Sequence, residues 1–254
     1  MTRLHVVCLP GGVAPAAQRY APLKAMVGDD AELHLKDLEV YRDPTPSAGY
    51  SVDLELDAID AFADSMGLER FHLLGYSGGG FISLAYTGTR PQRVKSLAVF
   101  EPASIPGPLS PDEAQAWNAL MQKLSGLEGQ AFMSTFVREQ LKPGVEPPPT
   151  PAGPPSPEMQ KRPAGIAALV QAFQAYPFDR KRLSEVPAPL FFGFGDQTSD
   201  VESIRAGLLA RTFADSHVRR FAGVHHFVPP EMIYTRDHVD ALLEVWRRSE
   251  NSGA

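Results

Sequence analysis

A chain of 254 residues, 43% of them hydrophobic and 21% charged, is long enough to bury one α/β core plus an insertion. Its formal charge of −6 offers no electrostatic attraction to nucleic acid or an anionic membrane. No window reaches the roughly 18–20 apolar residues of a membrane span, and the single cysteine, Cys8, excludes an internal disulfide framework.

Residues 4–9 (LHVVCL) form a near-continuous apolar run that stops at Pro10-Gly11-Gly12, the pattern of a strand buried on both faces. Cys8 lies inside that run and is expected to pack rather than react. The N-terminus enters this strand directly, without the apolar stretch and small-residue cleavage site of a signal peptide, so a cytoplasmic location is expected. A second strand is expected within 32–41. Residues 52–66 predict a helix, with Val52, Leu56, Ile59, Phe62, Ala63 and Met66 on one side. Asp53, Asp57, Asp60 and Asp64 repeat at the same period on the other side, as a solvated outer face does. A short strand over 71–74, a helix through 81–87 and a strand over 94–100 follow.

The alternation then breaks. Residues 104–176 predict an inserted helical lid, with helical pieces at 112–124, 129–141 and 166–176 and a proline-dominated stretch over 143–157 that can form neither regular helix nor central strand. The core, 1–103 and 177–254, resumes with strands at 189–194 and 217–221. It closes with a helix carrying Val239, Leu242, Leu243 and Trp246 on one face. Strands alternating with helices imply a mostly parallel sheet covered on both faces, with the insertion placed after the fifth strand.

The strongest local signal is Gly75-Tyr76-Ser77-Gly78-Gly79, a G-x-S-x-G pattern between an apolar strand and a helix-compatible run. A sharp strand-to-helix turn strains the residue at its apex and leaves no room for neighbouring Cβ atoms, so Gly75, Gly78 and Gly79 are expected to supply space. The serine oxygen then projects from the carboxyl edge of the sheet, at the positive end of a helix. A serine hydroxyl needs a base, and the base needs a third group to hold its tautomer.

In these features the chain resembles the α/β-hydrolase superfamily, over nearly its whole length. The resemblance implies a triad in the order serine, acid, histidine. Gly193-Phe194-Gly195-Asp196 is similar to the family's turn after a late strand and makes Asp196 the expected acid. Gly223-Val224-His225-His226-Phe227 is similar to the family's histidine segment; matching His-Phe to His-Phe selects His226, with His225 the alternative. His5, His34, His72, His217 and His238 lie within or beside predicted elements and do not compete. Asp200 is a rival acid. Glu101 is another, because some thioesterases resembling this family place the acid at that strand; a buried structural carboxylate beneath the histidine is its expected role. The resemblance also implies two oxyanion donors, the backbone N–H groups of Gly78 and of Gly12, the latter in a loop where relatives often carry His-Gly-x and this chain has Pro10-Gly11-Gly12-Val13. The short start before the first strand leaves out the hairpin common among relatives and looks like thioesterases of acyl-assembly pathways.

Apolar residues in the insertion, Trp117, Leu120, Met121, Phe136, Ile166 and Phe173 among them, suggest a small apolar acyl or ring-bearing substrate. No Walker loop, dinucleotide fingerprint or zinc-spaced His/Cys set is present, so neither cofactor nor metal is expected. The expected function is a serine hydrolase cleaving an ester, thioester or lactone. The alternatives are a thioesterase or cyclase served by an acyl-carrier protein, and a non-hydrolytic ligand-binding member of the fold. Neither nucleic acid nor membrane is expected as a partner.

Overall fold

In a computed structural model, residues 3–149 and 154–251 are described. Six strands, β1 (Leu4–Leu9), β2 (Ala31–Leu35), β3 (Phe71–Tyr76), β4 (Val94–Phe100), β5 (Leu190–Gly195) and β6 (Ser216–Phe221), form one sheet in the order β2-β1-β3-β4-β5-β6. Every pairing between these strands is parallel. Eleven helices are described in chain order. The first five are α1 (Ala16–Val27), α2 (Val52–Ser65), α3 (Gly78–Thr89), α4 (Pro111–Leu124) and α5 (Gly129–Glu139). Then come α6 (Pro157–Gln160), α7 (Arg162–Ala175), α8 (Lys181–Ser184), α9 (Val201–Thr212), α10 (Pro230–Ile233) and α11 (Arg236–Asn251).

Side-chain alternation along the strands builds two cores. Val7 and Leu9 of β1, Leu73 of β3, Leu97 and Val99 of β4 and Phe192 of β5 pack under α2, α3, α7 and α9. Val6 and Cys8, Leu74, Ala98 and Phe191 face α1 and α11 on the other side. Burial on both faces explains why β1, β3, β4 and β5 read as continuous apolar runs. Cys8 is fully buried, and burial pushes its thiol far above the ordinary range. The closing helix packs by Val239, Leu242, Leu243 and Trp246. The edge strand β6 exposes charged residues, among them Arg219, which discourages further strand pairing.

The acidic stripe of α2 is the expected outer face, held by arginines at the end of α3. Arg90 bonds Asp57 at 2.6 Å and Arg93 bonds Asp64 at 2.7 Å. Ser51 caps α2 by accepting from the Leu54 N–H, and Ser110 and Glu113 cap α4 reciprocally.

One feature departs from the sequence-based expectations. The helical segment follows the fourth strand in chain order, not the fifth. The second strand ends at Leu35, and Glu39–Tyr41 is a 3-10 turn. Two helices that drew no sequence-based expectation complete the flanks: α1 buries Ala16, Tyr20, Leu23 and Val27 and contains Pro22, and α9 buries Glu202 and Arg205 as an ion pair on its inner side. Within the proline-rich tract expected over 143–157, residues 150–153 lie outside the described residues.

Candidate active site

Among the described residues, only Ser77 and Glu101 combine a side chain with a left-handed backbone, at φ 53° and 44°. Both sit immediately past the carboxyl ends of adjacent strands, β3 and β4. Such positions each cost about 1–3 kcal/mol and persist only where the surroundings hold them. Ser77 is held by its N–H to Phe100 O at 3.1 Å and by N–H groups of Gly80 and Ala103 donating to its carbonyl, both at 2.9 Å. Glu101 is held by its N–H to Gly193 O at 3.1 Å.

The elbow needs its glycines unequally. A Cβ on Gly75 would lie 2.5 Å from Gly79 O, and one on Gly79 would lie 2.4 Å from Pro10 O, so neither position admits a side chain. At Gly78 the nearest neighbour of such a Cβ would be Leu169 Cδ1 at 3.5 Å, an ordinary contact. The expectation that Gly78 is sterically required is therefore corrected.

His226 Nε2 lies 3.0 Å from Ser77 Oγ, and His226 Nδ1 lies 2.7 Å from Glu101 Oε2. All three side chains are buried, Glu101 at 0% exposure and His226 at 2%. With Nδ1–H donating to the carboxylate, Nε2 is left as the acceptor for the serine hydroxyl proton. The other carboxylate oxygen of Glu101 accepts from Gly195 N–H at 2.7 Å and from Thr198 Oγ1–H at 2.5 Å, which fixes the plane of the group. Below the imidazole, the Tyr76 ring stacks at 4.9 Å and its hydroxyl donates to His226 O. The Arg19 guanidinium also lies over that ring, at 3.9 Å from its centre.

The structure does not bring Asp196 to the histidine. Its N–H donates to Phe221 O and the next N–H, of Gln197, to Val224 O, so the chain leaving β5 runs alongside the extension of β6. The Asp196 carboxylate turns outward to accept from Gly223 N–H at 2.9 Å, tying down the loop that carries the histidine. Gly195 makes this path possible, because a Cβ there would lie 2.0 Å from Val224 O. Glu101, one strand further in and one methylene longer than aspartate, occupies the place expected for Asp196. Asp200, the other rival, is 83% exposed and pairs with Lys142 at 3.5 Å. His225 accepts from Phe227 N–H at 3.1 Å, away from Ser77, and burial lowers its pKa. Thr198 and Tyr76 went unread in the sequence. Their contribution depends on partners about 100 and 150 residues away, and no local pattern reports it.

A cavity of about 210 Å³ opens over Ser77. Gly12 and Gly78 both line it, and among the described residues no acceptor pairs with either N–H. One wall is apolar: Trp117, Leu120 and Met121 of α4, and Ile166, Leu169 and Phe173 of α7. The lining also includes the polar side chains of Thr198, Ser199, Glu202 and Arg205. Burial pushes the Glu202 carboxyl up to about 7, against the pull of Arg205. Arg205 also donates to Pro102 O and Ala103 O, both at 2.7 Å, bracing the chain just after Glu101. The segment leaving α5 is stitched to this polar lining by a bridge between Leu141 and Thr198 and by Ser199 N–H donating to Gln140 O at 3.0 Å.

A family model for the alpha/beta hydrolase fold matches residues 41–142, which span the elbow and Glu101. A thermophilic esterase from Thermogutta terrifontis superposes with a TM-score of 0.69 over 98% of this chain and 91% of its own, at 17% identity. The chain has the alpha/beta hydrolase fold. The chain is 32% identical over 82 residues to the human (lyso)-N-acylphosphatidylethanolamine lipase, covering 32% of the chain and 24% of the lipase. It is 31% identical over 104 residues to the putative carbamate hydrolase RutD of Stutzerimonas stutzeri, covering 40% of the chain and 39% of that protein. The matches thus span less than half the length of either curated relative. Among the described residues, no helix is long and apolar enough to cross a membrane.

Proposed function

We propose that the protein is a serine hydrolase that cleaves a carboxylic ester or thioester through an acyl-Ser77 intermediate. One observation carries this reading, the unbroken hydrogen-bonded line from Ser77 Oγ through both nitrogens of His226 to Glu101. His226 Nε2 takes the hydroxyl proton as Ser77 Oγ attacks the acyl carbon, and Glu101 stabilises the imidazolium that forms. The N–H groups of Gly12 and Gly78 receive the developing oxyanion, each contributing about 3–4 kcal/mol. Collapse expels the alcohol or thiol, which leaves with the proton from Nε2. Water, deprotonated by the same nitrogen, then attacks the acyl-serine and releases the acid.

The helices over 111–175 act as a lid, and their apolar wall favours a small acyl or ring-bearing group; a lactone fits the same chemistry. Labelling with a fluorophosphonate tests the core of the reading. A covalent adduct on Ser77, absent from Ser77→Ala, supports it, and a folded protein that takes no label refutes it.

The acid at the end of β4 favours a second reading, a thioesterase supplied by an acyl-carrier protein, because some thioesterases of this superfamily place their acid there. Comparing kcat/KM for a pantetheine thioester and a nitrophenyl ester of the same acyl chain separates the two.

A further inference from the structure

The parallel pairing of β1 with β2 sets His5 directly opposite Glu32, and places His34 two residues further along β2. A spacing of two keeps Glu32 and His34 on one face of the sheet. His5 belongs to the same face, since Val7 and Leu9, at the same parity, pack toward α2 and α3 while Ala31 and Leu33 of β2 pack the other way. One ligand atom from each of His5, Glu32 and His34 lies within 4.8 Å of those of the other two. His5 Nδ1 stands 3.0 Å from His34 Nε2 and 3.8 Å from Glu32 Oε2.

We propose that His5, Glu32 and His34 form a binding site for a divalent transition metal of the zinc type, on the sheet edge remote from Ser77. Two imidazole nitrogens and one carboxylate are ligands suited to such an ion, which holds them at about 2.0–2.1 Å. At that radius the separations of 3.0 and 3.8 Å correspond to ligand–metal–ligand angles of about 95° and 135°, on either side of the tetrahedral value. The Glu32 side chain is 41% exposed, so it can rotate to complete the third edge. A fourth position remains for water. Arg3, 3.4 Å from the same Glu32 oxygen, and Lys24 are the cations near the group. Arg3 is half-exposed and can swing into solvent, so its competition weakens the site without closing it. Both strands are rigid and paired through this stretch, which pre-organises the ligands. In sequence the histidines are 29 residues apart, so no metal-ligand spacing announces them.

The test is a calorimetric titration of the tag-free protein with zinc chloride at neutral pH, run on the parent chain and on His5→Ala, His34→Ala, His34→Gln and His226→Ala. Expected is one saturable site in the parent, weakened at least about tenfold in each variant of His5 or His34. A zinc-dependent rise of about 5 °C in Tm, reached near 100 times Kd, should vanish with it. His34→Gln keeps a hydrogen-bonding partner for His5, so loss of binding there marks lost ligation rather than misfolding. Absence of saturable binding below about 100 μM, or affinity that survives His34→Gln and His5→Ala unchanged, overturns the proposal. Binding lost only on His226→Ala would place the ion at the site over Ser77 and overturn it as well.

Discussion

Replacing Glu101 by glutamine separates the two candidate acids. Gly195 N–H and Thr198 Oγ1–H both point at Glu101 Oε1, so the amide introduced there must turn its oxygen to them and its NH₂ to His226 Nδ1. Nδ1 then has to accept, which moves the ring proton to Nε2 and aims it at Ser77 Oγ, 3.0 Å away. In that tautomer the imidazole cannot take the serine proton. The charge that would stabilise an imidazolium is lost as well. The expected cost is about 10³–10⁴-fold in kcat, or about 4–5.5 kcal/mol. Because the substitution is isosteric and keeps the carbonyl acceptor, folding should survive. Asp196→Asn keeps an oxygen for Gly223 N–H and touches neither Ser77 nor His226, so activity should stay within about tenfold. The assay is steady-state hydrolysis of a short-chain nitrophenyl ester, with the rate of fluorophosphonate labelling as a second readout and thermal melting as the folding control. A near-wild-type Glu101→Gln together with a crippled Asp196→Asn refutes the reasoning.

Other consequences can be measured directly. Gly79→Ala forces a methyl group to 2.4 Å from Pro10 O and should cost at least about 3 kcal/mol or prevent folding, while Gly78→Ala should melt within about 1 kcal/mol of the parent. Thermal or urea unfolding of the two variants side by side decides it. His72 and His238 are buried, and burial lowers each to a pKa of about 4. Each therefore contributes stability that is present above about pH 6.5 and lost as pH falls toward 4, up to about 3 kcal/mol apiece. His238→Phe, in a pocket of Phe100, Phe191 and Phe221, should flatten the stability profile over that interval. An unchanged slope would show that His238 does not titrate on unfolding. His225→Ala should harm turnover far less than His226→Ala, since only His226 reaches Ser77.

Local pattern and tertiary geometry contributed differently. The parallel architecture was legible because strands buried on both faces must be continuously apolar, and the segments from Leu4, Phe71, Val94 and Leu190 satisfy that requirement. The elbow was legible because its constraint is local: the strand, the strained apex at Ser77 and the glycines that make room for it fall within a few residues of one another. Helices α1 and α9 were less so: Pro22 interrupts α1 within its stripe of Ala16, Tyr20, Leu23 and Val27, and two of the inner positions of α9 are the ion-paired Glu202 and Arg205.

The identity of the acid could not be decided in the same way. Asp196 and Glu101 both follow strands that end at the same sheet edge, and sequence places both near the histidine loop. Which one touches Nδ1 depends on how the chain leaves β5 against β6, on the Val224 backbone lying over Gly195, and on the reach of one side chain. The meeting of His5 with His34 is likewise a product of strand register rather than of spacing. Short-range sterics and burial act between neighbours and leave a signature in the chain. A hydrogen bond across 125 residues is set by the packing of every element between, and it becomes visible only when they are assembled.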